Sequence, residues 1–310
     1  MKRFSLRIFL IISLLTVLSC DDWLDRPVSI SDLPQYSPKL LVYSFISPDE
    51  PIQVHVERVE PLAYNQPIPA YFDTVLLLSD AHVLLTDEQT GQSIALQPDT
   101  SGLYVVPEGQ QFDILPGCAY ALQVSHADLP TATARTVVPQ GNFDIPDVVF
   151  SAIVERMWNC NVAVSNNGSD VSAFYAFLGE HYLHQLGDSV WDDKTHTYYH
   201  GADTAVRRQR WADSDGLYLS VPAQQRMSVR LKMSARTMLH ATDTLLVCVR
   251  QVDDVYNHYH TSLDQGGGRS VSANPQRVYS NVEQGLGVFC SYVSRQRRIS
   301  MLELGFEPRK

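Results

Sequence analysis

The sequence predicts a mostly β protein: an N-terminal Ig-like antiparallel β-sandwich followed by a second antiparallel β domain with one short helix. Two observations predict this class. Short apolar segments, alternating or rich in β-branched and aromatic residues, recur roughly every 8 to 15 residues and are separated by turn residues. No helical period of apolar residues interrupts them in the first half of the chain. Such spacing is typical of antiparallel sandwiches.

The first strand segments show this pattern directly. Lys39–Ile46 (KLLVYSFI) is β-branched and aromatic, and 52–59 (IQVHVERV) alternates apolar with polar residues. A Gly turn divides AHVLLTDEQTGQSIALQ into two further strands. A Pro-Gly turn precedes Tyr120, where Ig-like sandwiches often place a tyrosine whose hydroxyl bonds to the corner backbone. A plain core tyrosine is the alternative interpretation.

The segment 137–146 (VVPQGNFDIP) is the predicted boundary between a sandwich at 38–140 and a second β domain at 146–310, because it is rich in Pro and Gly and lacks apolar periodicity. Strand patterns resume after it. Asp215-Gly216 predicts a hairpin turn.

One helix is predicted at residues 253–265. Asp253 or Asp254 supplies the cap, and glycines 266–268 end the helix. Four residues are spaced to share its apolar face: Tyr256, Tyr259, His260 and Leu263.

The N-terminus has the features of a lipoprotein export signal. Three positive residues precede an apolar run of about ten residues, which is too short to span a bilayer. The run ends Val17-Leu18-Ser19-Cys20, with an aliphatic residue three positions before the cysteine and a small residue just before it. We therefore expect a signal peptide at 1–19, a lipid on Cys20 that anchors the protein in the outer membrane, and a tether at 20–37. A secretory signal with a chance cysteine is the alternative.

Asp21 and Asp22 follow the lipidated position at once. Acidic residues there resemble the surface-export signal of Bacteroidota lipoproteins, which implies exposure at the cell surface. Acidic residues that only keep a tether soluble are the alternative, so the periplasmic face stays open.

Composition argues against one class of partner and indicates the state of the cysteines. The chain has a net charge of −10, and loss of the three positive charges of the signal lowers this to −13. Such an acidic chain argues against nucleic acid as a partner. Four cysteines follow Cys20, each in or beside a strand-like run, so buried free thiols are expected: Cys118, Cys160, Cys248 and Cys290. One bridge among the last three stays open.

No catalytic motif, cofactor fingerprint or metal-ligand spacing is present, so no catalytic residue, cofactor or metal is predicted. Glu180-His181-x-x-His184 has the wrong order for a zinc protease, and its histidines would face opposite sides of a strand. Gly285-x-Gly287 lacks the third glycine of a dinucleotide site and instead indicates a bulge or a close backbone approach at a strand start.

Two basic runs stand out in this acidic chain. They consist of Arg207, Arg208 and Arg210, and of Arg295, Arg297 and Arg298. One interpretation is solvated edge residues that discourage strand addition. The other is a partner-binding site for an anionic surface or ligand.

Several segments recur in one order across a known family: the lipidated cysteine, PKLLVYSFI, the pattern SDAHVLLTD…GLYVV…PGCAYALQV…ARTVVP, the tyrosine-rich helix and YSNVEQGLGVF. On these segments, the chain resembles the domain-of-unknown-function 4249 family of Bacteroidota outer-membrane lipoproteins. The resemblance implies a TonB-dependent, SusC-like transporter as a partner, but no reaction and no catalytic residues.

The function we expect is that of a non-catalytic accessory or binding component of such a transport system. A structural or adhesive Ig-like surface lipoprotein, or an envelope assembly factor, is the second hypothesis. A hydrolase with a scattered triad is the third.

Overall fold

The computed structural model describes residues 37–59, 77–154, 157–184, 189–192, 197–200, 206–234, 244–266, 278–300 and 302. Cys20, Asp21, Asp22 and most of the tether lie outside these ranges. Strand dominates and one helix is described, which confirms the predicted fold class. The strands are β1 Lys39–Ile46, β2 Gln53–Val59, β3 His82–Asp87, β4 Ser93–Pro98, β5 Tyr104–Val105, β6 Ala119–His126, β7 Leu129–Val137, β8 Phe143–Val154, β9 Met157–Asn166, β10 Ser172–His184, β11 Ser189–Asp192, β12 Thr197–His200, β13 Val206–Val221, β14 Arg226–Ser234, β15 Thr244–Val252 and β16 Leu286–Ser300; the helix α1 is Asp254–Gly266.

One sheet of eleven strands organises the described part of the chain. Its order is β13-β10-β15-β16-β1-β2-β5-β4-β3-β6-β7, and β14-β9-β8 form a second sheet. The strands are antiparallel except that β1 pairs in parallel with β16, from Leu41 opposite Leu286 to Ile46 opposite Ser291. The predicted segments 38–140 and 146–310 therefore share backbone hydrogen bonds. Their division into two domains stays a prediction.

Gly287 allows β1 and β16 to approach this closely. Its φ is +103°, and a Cβ on it would lie 2.0 Å from the carbonyl oxygen of Val42 on β1. No L side chain fits there. The close backbone approach predicted from Gly285-x-Gly287 is confirmed.

Two buried tyrosines tie loops to the first part of the sheet. The hydroxyl of Tyr120 accepts a hydrogen bond from Leu115 N–H (2.8 Å) and donates one to the Asp113 carbonyl (3.2 Å), so the predicted corner arrangement is present. Tyr104 makes a second tie that the sequence analysis missed. Its hydroxyl accepts from Ala81 N–H and donates to the Leu78 carbonyl, both at 2.9 Å.

The hairpin predicted at Asp215-Gly216 is wrong. β13 runs from Val206 to Val221 without reversing, and the register shift lies where Ala176 pairs with Leu217 but Leu178 pairs with Ala212. The extra residues of β13 form a bulge opposite β10. Gly216 serves this bulge, because a Cβ on it would lie 2.4 Å from the Tyr175 ring.

The helix α1 covers an aromatic cluster on one face of the large sheet. The guanidinium of Arg250 lies 4.9 Å from the ring centre of Phe177 and 4.3 Å from that of Tyr292, distances typical of cation–π contacts. Tyr256 of α1 is buried beside them, as predicted. Leu263 was predicted on the same face, but it is 39% exposed.

The four cysteines of the described part are free and buried: Cys118, Cys160, Cys248 and Cys290. Burial raises the pKa of Cys160 to about 11 and that of Cys248 to about 12, so both stay protonated at neutral pH. Free thiols are the state predicted for most of them, and no bridge joins the last three.

Candidate binding cleft

A cleft of about 480 Å³ opens where the end of β7, the loop between β9 and β10, and the N-terminus of α1 come together. This volume lies in the range of small-ligand sites. Sequence reasoning did not predict the cleft, because its walls come from Gly117 and from residues 135–140, 142, 168–173 and 251–255, which are distant in sequence. Only the cap at Asp253 was visible as a local signal.

Asp253 fixes the α1 wall. Its Oδ1 accepts a hydrogen bond from Tyr256 N–H at 2.7 Å, which caps the helix as predicted. Its Oδ2 accepts from Ser291 N–H (3.1 Å), from the Ser291 hydroxyl (3.2 Å) and from the hydroxyl of Thr136. One carboxyl group thus joins α1 to β16 and β7.

The charge state of Asp253 reflects two opposing effects. Burial disfavours the carboxylate and raises its pKa to about 6, while the hydrogen bonds from Thr136, Tyr256 and Ser291 lower the pKa and limit the rise. At neutral pH the group is mainly ionised and accepts all four hydrogen bonds.

The loop wall is held by Asn166, which is fully buried. Its Nδ2 donates to the carbonyls of Asp170 (2.8 Å) and Val221 (2.9 Å), and its Oδ1 accepts from Gly168 N–H (2.9 Å). The loop is therefore fixed to β13.

Gln251 joins the remaining sides of the cleft. Its Nε2 donates to the Ser172 hydroxyl at the start of β10, and its Oε1 accepts from Gly141 N–H, both at 2.9 Å. Each buried polar side chain at the base of the cleft is thus engaged within the fold, which makes the walls rigid.

The rim combines exposed apolar groups with acidic ones. Val137 at the end of β7 is 44% exposed, and Val171 on the opposite wall is 65% exposed. Asp170 and Asp254 are exposed acids on the rim. Arg135, the one cation among the lining residues, is paired with Glu88 at 2.8 Å. The rim is therefore apolar and net negative.

The hydroxyls of Thr136 and Ser291 both donate to the Asp253 carboxylate and do not point at the opening of the cleft. Within the described ranges, no three His, Cys, Asp or Glu side chains are placed to hold a metal ion. No helix in the same ranges is long and apolar enough to span a membrane.

Two arginines of the second basic run contact the neighbouring sheet. Arg295 donates to the Gly141 carbonyl (3.2 Å), lies 3.8 Å from Asp144 and sits 5.3 Å from the ring centre of Phe143. Arg297 donates to the Pro146 carbonyl at 3.4 Å. These contacts join β16 to the start of β8, so both side chains have a structural role. Arg298 is exposed.

The first basic run lies on β13, the terminal strand of the large sheet. Arg207, Arg208 and Arg210 pair there with Leu183, Tyr182 and Glu180 of β10. Two strands, β10 and β15, separate this run from β16, about 14 Å at the usual strand spacing. A position on the terminal strand is what we expect if these arginines discourage the addition of another strand. The partner-binding role of both runs stays a prediction.

Several solved structures are similar to the chain at low identity. A DUF4785 family protein from Legionella pneumophila is 10% identical, with 69% of this chain and 51% of that chain covered, at a TM-score of 0.23. A putative carbohydrate binding protein from Bacteroides uniformis is 8% identical, with 84% and 98% covered, at a TM-score of 0.22. Alpha-2-macroglobulin from E. coli is 12% identical, with 73% and 14% covered, at a TM-score of 0.20. The chain thus spans about half the length of the Legionella protein.

No curated protein matches the chain. The family described as Domain of unknown function (DUF4249) matches residues 26–298, which include every strand described except the last two residues of β16. The chain belongs to the DUF4249 family.

Proposed function

We propose that the protein is a lipid-anchored lipoprotein of the outer membrane, exposed at the cell surface, and a non-catalytic binding component of a TonB-dependent, SusC-like transport system. Cys20 carries the anchor, and Asp21 and Asp22 direct surface export. The N-terminal signal LLTVLSCDD supports the location. The family resemblance carried by segments such as PKLLVYSFI and YSNVEQGLGVF implies the transporter as a partner.

The geometry of the cleft supports binding over catalysis. The base of the cleft is a hydrogen-bonded network around Asp253, Asn166 and Gln251, while apolar and acidic groups line the rim, and this arrangement carries the proposed binding role. A hydrolase would instead present a nucleophile and a base toward the opening.

Purification of the tagged, lipidated protein from its native outer membrane in mild detergent tests the proposal. Mass spectrometry should identify a stoichiometric TonB-dependent barrel in the eluate. A Cys20→Ala variant should be absent from the membrane fraction and should no longer co-purify with the barrel. A lone monomer from wild-type membranes would contradict the transport role.

A structural or adhesive role is the second candidate. The tyrosine tie at Tyr120 and the layered antiparallel sheets are typical of Ig-like surface modules, and they favour it. Deletion of the protein should then abolish attachment or envelope assembly and leave nutrient uptake intact. Loss of uptake with intact attachment favours the transport role.

A further inference from the structure

β7 is the last strand of the eleven-stranded sheet, so one of its edges has no neighbouring strand within that sheet. Part of this outer edge is covered by the segment before β16. Thr133 N–H donates to the Glu283 carbonyl (3.2 Å), and Glu283 N–H donates to the Thr133 carbonyl (2.8 Å). Two residues further along, the Arg135 carbonyl accepts a hydrogen bond from Asn281 Nδ2 at 3.1 Å.

The outer edge continues uncovered into the cleft. Val138 N–H donates to the carbonyl of Cys118, the residue just before β6, so the N–H and C=O groups of Val137 point the opposite way, because these groups alternate in direction along a strand. Within the described ranges, no hydrogen bond reaches the amide or carbonyl of Val137. Val137 lines the cleft and is half exposed.

We infer that the outer edge of β7 at Val137 is a strand-addition site for an extended, basic peptide segment of a partner protein. An incoming strand continues the antiparallel bridge that Glu283 begins at Thr133. Its backbone pairs with Val137, and its alternate side chains contact Val137 and Val171 across the cleft.

The charge around the edge selects the partner. The acids Asp170, Asp254 and Glu283 are exposed around it, while the charge of Arg135 is balanced by Glu88. Lysine or arginine side chains of the added strand complement this rim, and a glutamate-bearing strand is repelled. This inference deepens the proposed binding role and rests on it for the identity of the partner.

A defined synthetic peptide tests the site directly. The probe is a fluorescent nonapeptide of alternating threonine and valine with two lysines, titrated against the full mature protein in mild detergent. We expect saturable binding, together with slowed amide exchange at Val137. A peptide with glutamate in place of lysine should bind at least tenfold more weakly.

Two variants at one position separate strand addition from nonspecific contact. Val137→Pro removes the outward N–H but no hydrogen bond to β6, and it should lower the affinity for the lysine peptide at least tenfold. Val137→Thr keeps the N–H and the β-branched shape, and its affinity for the lysine peptide should lie within threefold of the wild-type value. Thermal unfolding of both variants establishes that they are folded.

A second form of the peptide needs no change in the protein. Methylation of its alternate backbone amides removes the donors to β7 and should abolish binding. Equal binding of the methylated and unmethylated peptides, or no saturable binding up to millimolar concentration, would overturn the inference. Co-purification of a transporter barrel in the same preparation would still support the proposed function, so the two failures are distinguishable.

Discussion

The side-chain amide of Asn281 hydrogen-bonds both backbone groups of Phe289. Its Oδ1 accepts from Phe289 N–H (3.0 Å), and its Nδ2 donates to the Phe289 carbonyl (2.8 Å) as well as to the Arg135 carbonyl. The side-chain amide therefore bridges β16 and β7 through hydrogen bonds to their backbones. This explains why an asparagine opens the segment Asn281–Phe289, which is part of the YSNVEQGLGVF motif that carries the family resemblance.

Asn281→Ala should lower the free energy of unfolding by about 2–4 kcal/mol, because three backbone groups lose a partner. Urea denaturation measures the change. Gln111→Ala is the control, since it removes an exposed amide that donates to the Asp113 carboxylate, and it should change stability by less than about 0.5 kcal/mol. Equal effects of the two substitutions would contradict this role of Asn281.

Gly287→Ala should be far more destabilising than Gly91→Ala. Both glycines have positive φ, +103° and +72°, but an added Cβ meets the Val42 carbonyl oxygen at Gly287 and nothing within 4 Å at Gly91. We expect a loss of about 1–2 kcal/mol at Gly91 and more than about 3 kcal/mol at Gly287. Soluble yield and denaturation midpoints provide the measurement. A Gly287→Ala protein as stable as Gly91→Ala would rule out the close approach of β1 and β16.

Asp253 should make stability depend on pH between about 4 and 6. Burial raises its pKa from 3.8 to about 6 in the folded protein, so the folded state binds a proton that the unfolded state releases in this window. Stability therefore falls as the pH rises through the window, by at most about 3 kcal/mol, and the penalty is absent below pH 3.8.

Melting temperatures of wild type and Asp253→Asn across pH 4–7 isolate this contribution. The difference between the two proteins should change across the window, while Asp254→Asn, an exposed neighbour, should track wild type. Parallel curves for wild type and Asp253→Asn would show that burial does not raise the pKa of Asp253.

Arg295→Glu and Arg298→Glu should separate the structural role of β16 from binding. Arg295→Glu places a carboxylate beside Asp144 and the Gly141 carbonyl, and we expect a loss of about 1–2 kcal/mol. Arg298 is exposed, so its reversal should change stability by less than about 0.5 kcal/mol. Partner binding should therefore be tested with Arg298→Glu, which leaves the fold intact. If Arg298→Glu destabilised the protein more than Arg295→Glu, the contacts of Arg295 with β8 would be absent in solution.

Local signals predicted the fold class well. The first strand has the predicted bounds Lys39–Ile46, the helix is displaced by one residue, and the tyrosine tie was visible from Pro-Gly and Tyr120. Each of these features depends on residues close in sequence. Asp215-Gly216 was misread because the same dipeptide that favours a hairpin also suits a bulge, and the choice depends on Tyr175 of the partner strand.

The cleft and the pairing of β1 with β16 were beyond such reasoning. Thr136, Asp253 and Ser291 meet in space but lie on three elements, and none of their local patterns points to the others. The arginines were visible as a run, yet the contacts of Arg295 with β8 depend on how two sheets pack.

The parallel pairing of β1 with β16 also has a consequence for the order of folding. β16 lies in the middle of the large sheet, so the ribosome makes one of the central strands after all the other described strands. Until then, the backbone groups of Leu41–Ile46 that will pair with it have no native partner, and β1 is a sheet edge open to other chains. Contacts so distant in sequence also form slowly. Holding the nascent chain apart from its copies until β16 is complete should therefore decide how much protein reaches the native state.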